Sequence, residues 1–332
     1  MIMHVLKYHG RKFDYAVGAE VEGFPTTVKL SDAPVIIIEG DEYLSSPIDR
    51  TPKFLKYQHH IVLISGIAWD HINVFPTEEE YIRQFEILAD QTPKAGSIIY
   101  FEEDPVVNRI GSEERADVLA EPYGTPLADI KEETTYLKNG KERIPLNIFG
   151  THNLQNLMGA MHVLNRMRIT DEMFYEAIAS FKGASKRLEI IADKQDTRIY
   201  RDYAHAPSKV RASISAVANQ HPDKELVACL ELHTFSSLTA SFLPYYKGTL
   251  DEADIPVVYF NPKTIAHKRL PALDAEKVRE AFENKNIQVF TDRDALTTFL
   301  ADQSWKNKNL LMMSSGTFDG IDLEALQENI YA

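Results

Sequence analysis

TRIYRDYAHAPSKVRASISAV, residues 197–217, holds a strand, a turn and a helix start in one line. TRIYRDY has the composition of a strand, and Pro207 suits the first turn of a helix, where its missing N–H has no partner to lose. Val210, Ile214 and Val217 then fall on one helical face. The same grammar recurs along the chain. Apolar runs appear as VIII (35–38), IVLIS (61–65), SIIYF (97–101), LVACLEL (226–232), VVYF (257–260), IQVF (287–290) and LLMMSS (310–315). Runs without alternation suit strands covered on both faces, as in parallel sheets. Leu154, Leu157, Met158, Met161 and Leu164 mark another amphipathic helix. Strand followed by helix, repeated, makes an α/β protein with mostly parallel sheets.

A chain of 332 residues, 44% hydrophobic and 26% charged, has room for two globular domains. The polar segment 105–147 breaks the pattern with short alternating pieces such as TTYLKNGKERIPLNI, whose NG is a hairpin signal. It reads as a small antiparallel excursion on the first domain. The pattern restarts after GASKRLEII (183–191), which divides the chain into 1–187 and 188–332. The net charge of −13, without a Lys/Arg cluster, argues against a nucleic-acid partner. No apolar run approaches the ~18 residues of a membrane span, and the opening MIMHVLKYHGRKF has no signal-peptide core, so a cytoplasmic protein is expected. The single cysteine, Cys229, lies inside LVACLEL and reads as a small buried hydrophobe.

Polar residues gather where strands end, the position at which open α/β sheets hold ligands. VIIIEGDEY places Glu39, Asp41 and Glu42 after one strand, an oxygen-rich set suited to Mg2+ or to a solvated acidic turn. IVLIS is followed by Asp70 and His71, which reach the same ion as Glu39 if the two strands are sheet neighbours, about 5 Å apart. FGTHNLQN (149–156) opens a helix with Gly150, Thr151, His152, Asn153 and Asn156. Free N–H groups at a helix start attract phosphate, and Asn and His side chains match a purine edge or ribose; a plain N-cap by Thr151 is the competing reading. Arg187 is a candidate phosphate contact. Asp202 and His205 occupy a βα turn, and His233, Ser314, Ser315 and Gly316 follow two further strands. No G-x-x-x-x-G-K-[ST] loop occurs.

Taken in order, IEGDEY, WDH, GTHNLQN, GASKRLE, YRDYAHAP and MSSGTFDG resemble the successive motifs of the Mur ligases, ATP-dependent amide-forming enzymes of peptidoglycan precursor synthesis. The resemblance runs over nearly the whole chain. It implies a central ATPase domain followed by a Rossmann-like C-terminal α/β domain, with ATP and Mg2+ as cofactors. The implied substrates are UDP-N-acetylmuramate and the murein tripeptide L-Ala-γ-D-Glu-meso-diaminopimelate, in peptidoglycan recycling, with L-alanine as the alternative acceptor. On the same basis Glu39 and His71 stand for the metal ligands and His152, Asn153 and Asn156 for the ATP contacts. Arg187 stands for a phosphate contact, Asp202 and His205 for the C-terminal contribution to the closed site, and His233, Ser314, Ser315 and Gly316 for the peptide site. Gly66, Ile67 and Ala68 replace an Asn-x-Glu common among relatives, Arg201 stands where Asp is usual, and Thr234 stands where alanine-adding members carry Arg. The family's P-loop would precede MIMHVLKYHG, so the expectation is that this chain alone does not turn over. A non-catalytic module that binds nucleotide or muropeptide is the rival reading from another class.

Overall fold

The computed structural model describes residues 1–194 and 196–331. They form two compact units, Met1–Ser185 and Lys186–Ala332.

The first unit is built around the helix Thr151–Arg166. Leu154, Leu157, Ala160, Met161 and Leu164 face one apolar cluster, shared with Val5, Leu6, Phe13, Tyr15 and Phe174. Val163 joins a second cluster with Val62, Ile64, Ile99, Tyr100 and Val107. The helix lies close to its sheet because position 159 is glycine. A Cβ there would stand 2.9 Å from both Leu63 and Tyr123. That sheet is wholly parallel and joins Ile61–Ile64, Ser97–Phe101 and Leu119–Tyr123. A separate small sheet has Asp14–Ala16 at its centre, paired parallel with Ile36–Ile38 and antiparallel with Val28–Lys29.

Two sequence expectations need correction in this unit. The run at 35–38 is not buried on both faces: Ile36 is 45% exposed, while Val35 and Ile37 on the other face pack against the first apolar cluster. The segment 105–147 is only partly antiparallel. Asp104 caps a helix Pro105–Gly111 by accepting from Val106 and Val107 N–H, an Asp-Pro start that favours helix, and Leu119–Tyr123 continues the parallel sheet. The antiparallel part is the meander Ala128–Lys131, Thr134–Asn139 and Glu142–Leu146, with the Asn139-Gly140 hairpin at the expected place.

The second unit carries a six-stranded sheet. In spatial order its strands are Glu189–Lys194, Thr197–Asp202, Lys308–Met313, Glu225–Glu231, Ile255–Tyr259 and Gln288–Phe290. Every pairing is parallel except that of the edge strand Glu189–Lys194. The last strand in sequence enters the middle, so the carboxyl ends of Thr197–Asp202, Lys308–Met313 and Glu225–Glu231 lie side by side. Val210, Ile214 and Val217 of the helix Pro207–Gln220 are buried. Cys229 is buried at the sheet centre, and burial pushes its thiol pKa up.

Candidate functional site

The acids after Ile36–Ile38 and the His after Ile61–Ile64 do not meet as adjacent strand ends, because these strands belong to different sheets. Glu39 instead folds back on its own sheet, its Oε2 accepting from Gly18 N–H at 2.6 Å. Glu42 is the acid that reaches His71, with Oε1 at 3.4 Å from Nε2. The same oxygen accepts from the Tyr81 hydroxyl at 3.0 Å. Burial works to raise the Glu42 pKa, but hydrogen bonds, led by that from His71, hold it below the usual carboxylate range. His71 has a left-handed backbone (φ 56), its N–H donates to Asp70 at 2.6 Å, and its ring meets Tyr43 edge-on at 5.2 Å. Asp41 pairs with Lys53 at 2.6 Å.

The described residues therefore hold no ready-made cluster of three metal-ligating side chains. Glu39 and His71, the two residues expected to share Mg2+, each have a partner of their own here, Gly18 N–H and the Glu42 carboxylate.

At the start of Thr151–Arg166 the cap residue is Gly150, with φ 89, rather than Thr151. Glycine is at ease in that conformation and brings no side chain to the first-turn N–H groups. Asn153 turns its amide back to the Phe149 carbonyl at 2.9 Å, while Asn156 is exposed and His152 half-buried. Gln155, not singled out from sequence, donates to Thr125 Oγ1 at 2.9 Å. Glu103 in turn accepts from Thr125 N–H and Oγ1 at 2.6 and 2.8 Å.

In the second unit the strand-end residues do converge. Asp202 is buried at 5% exposure and uses both oxygens locally. Oδ1 accepts from Ala204 N–H at 3.1 Å and Oδ2 from Ser213 Oγ at 2.5 Å. Desolvation raises its pKa against these bonds and the Arg187 charge. Asp202 thus fixes the turn into Pro207–Gln220, and its carbonyl accepts from Ser314 N–H at 3.0 Å. His205 is buried, with Nδ1 at 2.8 Å from the Tyr203 carbonyl, and its own carbonyl accepts from the Tyr246 hydroxyl. Arg187 is exposed, its guanidinium lying 5.4 Å from the Tyr203 ring centre.

The centre of the cluster is a residue that the sequence reading passed over. Glu231 ends the strand Glu225–Glu231 and is only 2% exposed. Its Oε2 accepts from the Ser314 hydroxyl and from Phe318 N–H at 2.7 Å, and Oε1 lies 3.5 Å from His233 Nδ1. Burial works to raise its pKa, but hydrogen bonds from His233, Ser314 and Phe318 bring it below the ordinary value. An acid inside LVACLEL was the available signal, since a charge in a buried strand needs partners. Gly316 N–H donates to Ser314 Oγ at 2.6 Å, and the Ser315 hydroxyl is buried with no hydrogen-bond partner among the described residues. The arrangement is a hydrogen-bonded polar cluster at the carboxyl ends of three parallel strands, with one hydroxyl left to satisfy.

Among the described residues no helix is long and apolar enough to cross a membrane. Residues 26–164 match the family model described as Mur ligase middle domain, and residues 186–316 match that described as Mur ligase, glutamate ligase domain. The chain is 23% identical to the UDP-N-acetylmuramate–L-alanyl-γ-D-glutamyl-meso-2,6-diaminoheptandioate ligase of Haemophilus influenzae, over 99% of this chain and 73% of the relative. It is 24% identical to the UDP-N-acetylmuramate–L-alanine ligase of Aquifex aeolicus, over 76% of this chain and 56% of the relative. The chain thus spans between about half and three quarters of the length of these relatives. Its fold is shared by the MurF ligase of Thermotoga maritima in complex with ADP, with a TM-score of 0.69 at 16% identity over 99% of this chain and 75% of that one. With its two domain models in sequence and the α/β units that carry them, the chain belongs to the Mur ligase family.

Proposed function

We propose that this chain provides the nucleotide-binding and C-terminal parts of an ATP-dependent ligase that joins UDP-N-acetylmuramate to L-Ala-γ-D-Glu-meso-diaminopimelate. The observation that carries the reading is the succession of the two Mur ligase domain matches, each placed on a unit whose polar residues gather at strand ends or a helix start. The names of both relatives share UDP-N-acetylmuramate and differ in the acceptor. The alignment with the tripeptide enzyme covers 99% of the chain at 23% identity, and that with the alanine enzyme of Sulfurihydrogenibium covers 96% at 25%, so the choice of acceptor is left to experiment. L-Alanine is the second reading, favoured by that relative.

A carboxylate is a poor acyl donor until one oxygen becomes part of a phosphate leaving group. In the proposed reaction ATP phosphorylates the muramate carboxylate. The acceptor amine then attacks the carbonyl carbon, the N–C bond forms, the C–O bond to phosphate breaks, and ADP and phosphate leave. The Thr151–Arg166 helix start meets the nucleotide through the positive end of its dipole and through His152, Asn153 and Asn156. Arg187 is assigned to the phosphates, and His205, His233, Ser314, Ser315 and Gly316 to the acceptor. Asp202 holds the turn that carries His205. No step is derived through Mg2+, because Glu39 and His71 are engaged separately.

The test is phosphate release from ATP with UDP-N-acetylmuramate and each acceptor. The reading expects release that requires both substrates and is faster with the tripeptide, in place of the expectation from the sequence alone that this chain does not turn over. Release that ignores the muramate substrate contradicts it, and faster release with L-alanine transfers the assignment to the second reading.

A further inference from the structure

We propose that Glu231 is a positioning residue that holds the His233 ring with Nδ1–H turned towards the protein, so that Nε2 accepts the proton released when an incoming amine forms the amide bond. The proposal rests on the ligase reading above.

Three chain segments meet at this point: the end of Glu225–Glu231, the loop at His233, and the turn Ser314–Phe318 after the central strand. Glu231 Oε2 is fixed by two donors, the Ser314 hydroxyl and Phe318 N–H at 2.7 Å, so the carboxylate cannot swing to follow a ligand. The imidazole comes to it instead, with Nδ1 3.5 Å from Oε1. Position 316 leaves room for this meeting only as glycine. A Cβ there would stand 2.8 Å from His233 Nδ1 and 2.9 Å from Glu231 Oε2. The carboxylate is buried, yet its hydrogen bonds hold its pKa below the ordinary value, so it is ionised at neutral pH. An ionised carboxylate only accepts hydrogen bonds, which requires Nδ1 to carry the hydrogen. In a neutral imidazole the lone pair then sits on Nε2. The His233 side chain is 38% exposed, against 3% for that of Glu231, so the ring is the member of the pair that solutes can reach.

The chemistry balances without a further reactant. As the amine nitrogen bonds to the acyl carbon, the C–O bond to phosphate breaks and phosphate leaves with the electron pair. The surplus N–H proton passes to Nε2 and from there to water. This is the division of labour in which a fixed acid selects the tautomer of a proton-transferring imidazole.

Glu231→Gln separates the assignment from a purely structural role. Phe318 N–H and the Ser314 hydroxyl require an acceptor at the Oε2 position, so the glutamine oxygen must take that place. Its NH2 then faces Nδ1, and the ring is driven to the Nε2–H tautomer. Nitrogen-resolved NMR of the histidine side chains reads this directly. The expected result is Nδ1–H at His233 in the wild-type chain and Nε2–H in the variant. The same tautomer in both proteins, or Nε2–H in the wild type, overturns the proposal. In the ligase assay the variant should lose about 100-fold or more in kcat with KM kept within about threefold. A loss carried by KM alone overturns the proton-transfer role. If the glutamine variant fails to fold by circular dichroism, Gly316→Ala replaces it, since its Cβ pushes the ring off the carboxylate and predicts the same loss of the Nδ1–H signature. A wild-type chain that joins no acceptor to UDP-N-acetylmuramate defeats the ligase reading and the proton transfer with it, while the NMR comparison still decides whether Glu231 sets the His233 tautomer.

Discussion

The two units handle their charged residues in opposite ways. In the second, Asp202, Glu231 and Ser314 stand at the ends of neighbouring parallel strands and are nearly inaccessible; Ser314 links the other two, its N–H donating to the Asp202 carbonyl and its hydroxyl to Glu231. In the first, Glu39, Asp41, Glu42 and His71 hang from loops between two separate sheets, and they fall into separate groups: Glu39 with Gly18, Asp41 with Lys53, and Glu42 with His71 and Tyr81. A parallel sheet with a strand threaded into its middle gathers side chains from distant parts of the sequence at one edge. The second unit therefore presents one connected, buried polar cluster, and the first a set of more exposed acids with separate partners.

Four predictions press on this contrast. The largest effect is expected at Leu311, fully buried in the central strand: Leu311→Ala should cost about 2–5 kcal/mol in urea unfolding of the second unit. Equal sensitivity at Ile36→Ala would erase the distinction between the sheets. Next, Glu231→Ala leaves the buried Ser314 hydroxyl and Phe318 N–H without their acceptor, at about 1–3 kcal/mol each. Glu39→Ala, at an exposed position, should stay within about 0.5 kcal/mol.

The third concerns pH. The folded pKa of Glu231 lies below its ordinary value of 4.5, so the stability it contributes is whole above that value and is lost as pH falls through the lower folded pKa. The folded pKa of Asp202 lies above its ordinary 3.8, so its contribution is whole below that value and lost as pH rises through the raised folded pKa. In urea midpoints measured against pH, Glu231→Gln should flatten the acid-side decline, whereas Asp202→Asn should remove a loss that runs the other way. Matching profiles would show that the two acids are not held in contrasting states. The smallest effect is expected at Ile36→Ser, within about 0.5 kcal/mol, because the side chain is already 45% exposed. A larger loss there would mean that this face is covered.

The fold was legible wherever burial dictated composition. LVACLEL and VVYF are strands because a strand covered on both faces has little room for polar residues, and Val210, Ile214 and Val217 mark a helix because one face alone is buried. The small sheet of the first unit was less legible: VIII looks like a core strand, yet only the face of Val35 and Ile37 is covered by the core, a non-local fact. The same cause hid which acid meets His71. Glu39 and His71 each follow an apolar run, but sheet membership decides their distance, and Glu42, three residues further along the loop, is the acid that reaches His71. Glu231 was readable as an acid within a buried strand, though its partners Ser314 and Phe318 lie more than 80 positions away.

The account stands or falls most directly on where a nucleotide meets the chain. Photo-crosslinking with an azido-adenosine triphosphate, followed by peptide mapping, is the measurement that decides it. The account predicts labelled peptides from the start of the Thr151–Arg166 helix, labelling suppressed by excess ATP, and a weaker label in Asn156→Ala. Label confined to peptides remote from that helix, or label indifferent to competing ATP, would contradict it.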